Sequence, residues 1–233
     1  MQREFLQRTE LLIGKDSVQK LLNSKVIIFG VGGVGGFTVE ALVRAGIENI
    51  CLVDYDIIDV TNINRQIIAL NSTVGKYKTE VLKDRIKDIN PLCDVKIFKT
   101  KLVPENIENF NLEEYDYVID AIDNITSKIS LIEYCYNNNI KIISSMGAGN
   151  KLDPTRFKVS DINKTKMCPM ARVIRTKLKK IGVKKLKVVW SDEEVTGKTM
   201  RNDSIGKSSP SSISFIPSVV GLIIAGEVIK DLM

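Results

Sequence analysis

The chain has 233 residues, 44% of them hydrophobic, enough for one large core, so it is expected to form a single α/β domain with an appendage. A formal charge of +6 and a pI near 9.0 suit a polyanionic partner, although a lysine excess of this size also describes an ordinary solvated surface. Cys51, Cys93, Cys135 and Cys168 never fall within three residues of one another, which excludes a C-x-x-C zinc or redox pair; Cys51 and Cys93, in or beside apolar runs, are expected to be buried and reduced, as suits a cytoplasmic protein.

Residues 1 to 10 are charged and lack the apolar stretch of a signal peptide. Leucines at 6, 11, 12, 21 and 22 among charges predict one or two short helices over residues 3 to 22. Val26 to Phe29 is a short continuous apolar run, as expected of a strand buried on both faces, and it enters glycines at once. Gly30, Gly32 and Gly35 have the G-x-G-x-x-G spacing. The first suits a tight turn, the second close approach of a phosphate, and the third packing of the next helix on the strand. Asp54 ends the following strand 24 positions after Gly30 (54 − 30), near the spacing of about 20 expected of a ribose-binding acid. Residues 25 to 56 thus read as a β-α-β nucleotide-binding unit, with phosphate at the helix N-terminus.

After Asp54, a polar stretch predicts a loop leading into a short helix. Thr73 is expected to cap the next helix, which carries apolar residues at 74, 77, 81, 82, 86 and 89 and stops at Asn90-Pro91. Further strands are expected at Val95 to Phe98, Tyr115 to Ile122 and Ile140 to Met146, with a helix from Ile125 to Asn137 and a second glycine turn at Gly147 and Gly149. This alternation predicts a doubly wound, mostly parallel Rossmann-like sheet over residues 1 to 150, with ligands at the carboxyl ends of its strands. Residues 151 to 233 form a smaller extension, expected to serve substrate binding and a dimer interface. It has strands at Phe157 to Val159 and Leu186 to Ser191, a basic helix from Pro169 to Lys180, and a polar segment at 192 to 212 expected to be a mobile loop. Ile213 to Ile229 is largely apolar but interrupted by Pro217, Gly221 and Glu227, which fits a buried core or interface helix better than a membrane span.

The glycine fingerprint does not choose between NAD and ATP; its neighbours do. Asn62, Arg65 and Lys78 lie beyond the second strand, and Asp123-Asn124 at the end of the fourth, the adjoining position in a doubly wound sheet. Two cations and an acid suit a triphosphate with Mg²⁺: the cations neutralise phosphate oxygens, and the carboxylate holds the metal. Taken singly, Arg65 and Lys78 also read as surface charge, and Asp123 as a helix cap.

Gly30-Val-Gly-Gly-Val-Gly35, Asp54-Tyr-Asp56, Asn62-Ile-Asn-Arg65-Gln, Gly75-Lys-Tyr-Lys78 and Asp120-Ala-Ile-Asp123-Asn124 resemble the successive motifs of the ubiquitin-activating-enzyme-like adenylating superfamily, over most of the chain. The resemblance implies a homodimer that uses Mg·ATP to adenylate a carboxylate. It also implies that Gly33 approaches the phosphates, Asp54 binds the ribose, Asn62, Arg65 and Lys78 contact phosphates, and Asp123 holds Mg²⁺. Arg8 is expected to reach the partner subunit's ATP. Arg8-Thr-Glu-Leu-Leu-Ile-Gly14, Met146-Gly-Ala-Gly-Asn-Lys-Leu-Asp-Pro-Thr155, Cys168-Pro-Met-Ala-Arg172, Val188-Val-Trp-Ser191 and Ser214-Phe-Ile-Pro-Ser-Val-Val-Gly221 are similar to the tRNA threonylcarbamoyladenosine dehydratases within it. That likeness implies ATP-dependent cyclisation of the threonylcarbamoyl group beside the tRNA anticodon, through an acyl-adenylate.

The alternative within the superfamily is activation of the C-terminal carboxylate of a ubiquitin-like sulfur carrier. Relatives with that role commonly hold zinc in paired C-x-x-C motifs, so no zinc is expected here. A sulfur-relay protein remains a further candidate partner. An NAD-binding redox protein and a non-catalytic RNA-binding module are readings from other classes. Cyclisation needs no covalent enzyme intermediate, so Cys168, despite Lys164 and Lys166 nearby, is expected to be a bystander. The chain has no histidine, and a carboxylate nucleophile already ionised near pH 7 needs none. For the RNA, Arg172, Arg175, Lys179 and Lys180, with Lys177, Lys184, Lys185 and Lys187, are expected to follow the phosphate backbone, or else to form a solvated face. Lys198, Arg201 and Lys207 in the polar segment are expected to close over ATP or the anticodon loop.

Overall fold

The computed structural model describes residues 3–195, 200–202 and 207–233. Seven strands form one sheet in the order β3 (Asp94–Phe98), β2 (Asn49–Val53), β1 (Lys25–Phe29), β4 (Tyr117–Asp120), β5 (Ile142–Ser145), β7 (Lys187–Ser191) and β6 (Phe157–Asp161). All pairings are parallel except that of β6 with β7, so the expected mostly parallel, doubly wound sheet is present and the appendage extends it.

The apolar run of β1 follows from this layering. Val26 and Ile28 face a core shared with α2 (Lys15–Asn23), α3 (Gly35–Ala45), α4 (Lys78–Ile89) and α7 (Phe215–Leu232), while Ile27 and Phe29 face α5 (Ile125–Asn137). With both faces covered, no position from Val26 to Phe29 is free to be polar. A third cluster joins α6 (Pro169–Lys180) to α5 and β7 through Ile132, Ile174, Leu178 and Trp190. Helix α7 lies against α3 so closely that a Cβ on Gly221 would stand 2.4 Å from the Val34 carbonyl oxygen. It is the core helix expected from Ile213 to Ile229, and no helix among the described residues is long and apolar enough to cross a membrane.

Two local expectations are corrected. Thr73 does not cap α4; its hydroxyl donates to the Ile68 carbonyl and accepts from Leu70 N–H within a turn. The helix starts at Lys78, because Gly75 takes a left-handed φ of 87° and Tyr77 bridges to Ile57, which keeps the chain extended until then. Lys78 is therefore the first residue of α4 and not one turn inside it. In the polar segment expected to be a mobile loop, β8 (Met200–Asn202) and β9 (Lys207–Ser209) pair as antiparallel strands. Backbone pairing supplies there the partners that apolar burial does not. Lys198 and the rest of 196–199 and 203–206 lie outside the described residues. The first helical stretch forms α1 (Gln7–Ile13) and α2, as its leucines predict.

Candidate active site

The sheet order reverses between β1 and β4, and a cleft of about 590 Å³ opens there at the carboxyl ends of the strands. It brings together Gly30, Gly32, Gly33, Asp54, Asp56, Asn62, Arg65, Lys78, Asp123 and Asn124. Gly35 lies behind it, because that glycine permits contact and not exposure: a Cβ at Gly35 would stand 1.8 Å from the Gly30 carbonyl oxygen. Gly30 has φ 84°, and a Cβ there would meet the Ala121 carbonyl oxygen at 2.8 Å. The turn is thus fixed against both β4 and α3. Helix α3 has no acidic residue in its first turn and no side-chain cap, so no side chain competes with an anion there, while the Gly36 N–H already donates to the Gly32 carbonyl.

Asp54 is buried, and its carboxylate accepts from Val31 N–H at 2.8 Å and from Asp56 N–H at 2.9 Å. It braces the glycine turn from below as well as lining the cleft. Burial pushes its carboxyl above the usual aspartate range, and the nearby Lys78 ammonium opposes that shift. Lys78 is itself buried and bonds Asp56 at 2.6 Å, whose carboxylate is 44% exposed. Arg65 donates from Nη1 to the Thr61 carbonyl and to Asn64 Oδ1, which presents the guanidinium along the cleft wall. Asp123 is exposed; the cap of α5 is Asn124, whose Oδ1 accepts from Ser127 N–H at 3.0 Å. Asp123 is therefore free of the capping role that its position allowed.

Sequence reasoning named Gln66 only within a motif and missed its state. Its side chain lines the cleft, only 7% of the residue is exposed, and Oε1 has no hydrogen-bond partner among the described residues. A buried amide oxygen left unpaired is costly, and a ligand bearing a donor would relieve it. At Gly33 a Cβ would stand 3.1 Å from Pro217 Cβ and 3.6 Å from Arg65 Cγ, so the absent side chain leaves room beside the aliphatic stem of Arg65. Orphaned amide, cleared glycine and two cations fit a nucleotide triphosphate. No group of three or more acidic, cysteine or histidine side chains able to hold a metal occurs among the described residues. A single carboxylate such as Asp123 would be enough for Mg²⁺, which takes one or two carboxylates and fills its remaining positions with phosphate oxygens and water.

The other expected site residues lie elsewhere. Arg8 is exposed on α1 and does not line the cleft of its own chain. Arg172, Lys179 and Lys180 are exposed on the outer face of α6, opposite the buried Ala171, Ile174 and Leu178. Arg175 differs, because its Nη1 donates to both the carbonyl and the hydroxyl of Thr165 and so ties α6 to the preceding turn. At its N-terminal end α6 reaches the cleft through Met170. Cys168 is free and buried, with its sulfur 3.8 Å from where a Cβ on Gly147 would stand.

The sequence profile of the ThiF family matches residues 6–233. The chain is 49% identical over 237 residues to the tRNA threonylcarbamoyladenosine dehydratase of Bacillus subtilis (strain 168), covering 97% of this chain and 93% of that protein. The corresponding Escherichia coli (strain K12) protein is 42% identical over 177 residues, covering 76% of this chain and 66% of its own length. Among solved structures, the E. coli dehydratase in complex with AMP superposes with a TM-score of 0.90 at 34% identity, over 99% of this chain and 95% of that one. Its complex with ATP gives 0.89 at 33% identity, over 99% and 94%.

Proposed function

The chain belongs to the ThiF family, and from that premise we propose that it is an ATP-dependent tRNA threonylcarbamoyladenosine dehydratase. The observation that carries the proposal is the gathering of Gly33, Asn62, Arg65, Lys78 and Asp123 around one cleft at the switch point of the sheet. Near-complete coverage of a named dehydratase at 49% identity supports the choice of substrate.

In this reading the triphosphate lies on the glycine turn, its negative charge met by the α3 N-terminus, Arg65 and Lys78. Asp123 would hold Mg²⁺, which when bound would supply neutralisation of phosphate charge. A carboxylate oxygen of the substrate attacks the α-phosphorus, and the bond to pyrophosphate breaks. Arg65 and Lys78 stabilise the charge that gathers on the phosphate oxygens. The substrate's own ureido nitrogen then attacks the acyl carbon and loses its proton, and AMP leaves with the former carboxylate oxygen. One water is thereby lost across the two steps. No enzyme nucleophile enters, in keeping with the burial of Cys168.

The exposed basic face of α6, which meets the cleft at Met170, supports a path for the tRNA phosphates. A homodimer in which Arg8 serves the neighbouring subunit's nucleotide completes the proposal, and a cytoplasmic location follows from the substrate. With threonylcarbamoyladenosine-containing tRNA and Mg·ATP, the protein should release AMP and yield a nucleoside lighter by one water in mass analysis. Unchanged nucleoside mass sinks the proposal, and pyrophosphate exchange that depends on a ubiquitin-like carrier instead of tRNA replaces it with carrier activation.

A further inference from the structure

Beneath the cleft, Asp120 at the end of β4 and Lys128 in α5 form an ion pair of 2.7 Å with neither side chain exposed. The three donors of the ammonium are all used: Asp120 Oδ2 at 2.7 Å, Ser144 Oγ at 3.2 Å and the Ser145 carbonyl at 2.9 Å. The Ser144 hydroxyl donates to Asp120 Oδ2 at 2.6 Å, and Asp120 Oδ1 accepts from Ile122 N–H at 3.1 Å. The preceding residue continues the pattern, since the Ser127 hydroxyl donates to the Leu102 carbonyl at 2.7 Å. Two consecutive residues of α5 therefore tie together the segment after β3 and the carboxyl ends of β4 and β5, where the cleft opens.

A buried pair of charges adds little net stability over well-packed apolar residues of the same volume, because desolvation offsets the attraction. What an apolar pair cannot do is hold the Ser145 carbonyl and the Ile122 N–H in fixed places. We infer that Lys128 is a positioning residue of the nucleotide site. Through Asp120 it fixes the Ala121–Asn124 loop, and so the Asp123 carboxylate, against the Ser145 wall. Lys128 does not line the cleft and so would act only through these neighbours. The inference rests on the reading of the cleft as a Mg·ATP site.

The test is a cycle of variants in the full chain, with the Mg·ATP dissociation constant measured by titration calorimetry and folding by thermal melt. Asp120→Asn/Lys128→Met removes both charges and leaves neither unpaired, and Asp123→Asn removes the proposed metal ligand. Each should weaken Mg·ATP binding on the order of tenfold, and the combination should be little weaker than the worse of the two, because both act through one carboxylate. A product of the two effects in the combination, or parental binding by the pair replacement, overturns the inference. If the pair replacement does not fold, Ser144→Ala keeps both charges and removes the one hydroxyl that is bonded to each of them. It should weaken binding about threefold with the same non-additivity, and additivity or no change overturns the role. Parental Mg·ATP binding by Asp123→Asn removes the cleft assignment itself, whereas a clear Asp123 effect that merely adds removes the Lys128 role alone.

Discussion

Two lysine–aspartate pairs lie near the carboxyl ends of the strands, and their surroundings assign them different work. At the mouth of the cleft, Lys78 is held by Asp56, whose carboxylate is 44% exposed. By contrast, Lys128 is held by Asp120 with no exposure on either side. Water can take over from Lys78 as the partner of Asp56, so the Lys78 ammonium can be handed to a phosphate at little cost. Nothing can replace Lys128 without leaving a buried carboxylate unpaired. The mouth pair is exchangeable and suits ligand binding, while the floor pair is fixed and suits geometry.

Single replacements should separate the two most widely. Lys128→Met is expected to cost about 3–5 kcal/mol of stability, the usual penalty for stranding a buried charge, as read from the denaturant midpoint. Lys78→Met should cost less than about 1 kcal/mol, since Asp56 stays hydrated. Its AMP release should nonetheless fall about 10²- to 10³-fold, the usual loss when one group that stabilises developing charge is removed. Equal stability losses in the two variants would erase the distinction between mouth and floor.

The glycines divide in the same way and should give a smaller effect. Gly35 faces the Gly30 carbonyl at a distance that admits no side chain, so it belongs to the floor. Gly33 belongs to the mouth, where a methyl group would meet Pro217 Cβ at 3.1 Å and narrow the space beside Arg65. Gly33→Ala should weaken ATP binding about tenfold while lowering stability by about 1 kcal/mol, the low end of the cost of overpacking, since a neighbour partly absorbs one methyl group. Parental affinity in that variant would show that phosphate does not approach Gly33.

Gln66 tests the mouth from the opposite direction. Its orphaned Oε1 is a cost borne by the free protein, so Gln66→Leu should raise the melting temperature slightly, equivalent to about 1 kcal/mol. ATP affinity should fall several-fold in the same variant, since the ligand loses an acceptor. A variant that loses stability without losing affinity would place Gln66 with the floor.

The mouth was the more legible part in the sequence, because its residues occur as short motifs at loop positions. The glycine spacing, Arg65, Lys78 and Asp123 all converge on the cleft, and the helices Ile125–Asn137 and Pro169–Lys180 begin and end where their patterns predict. The floor was hidden because its members look like ordinary parts of their elements. Asp120 closes an apolar strand, and Lys128 sits among the hydroxyls of a helix. One signal existed: Lys128 falls in register with Leu131, Ile132 and Cys135, on the stripe of α5 that faces the sheet. The false cap at Thr73 has a different origin, since a long-range bridge between Ile57 and Tyr77 overrode a local preference. Likewise the orphaned atom of Gln66 depends on the packing of distant segments and leaves no trace in composition.

The smallest expected effect lies outside both regions, at Asp192 beyond β7, and it shows what an exposed pair does with neither ligand nor burial to serve. Asp192 is bound by Lys158 and Arg156, and those hydrogen bonds hold its carboxyl down at about 2, below the ordinary 3.8. An acid whose folded value lies below its unfolded one favours the folded state only while it is ionised. Its contribution is therefore complete above pH 3.8 and disappears as pH falls towards 2. Urea midpoints of the parent and of Asp192→Asn should differ slightly at pH 5 and converge as pH approaches 2. A gap that stays constant over that window would mean that Asp192 holds β6 to the end of β7 by shape and not by charge, which would align it with the floor pair more than with the exposed one.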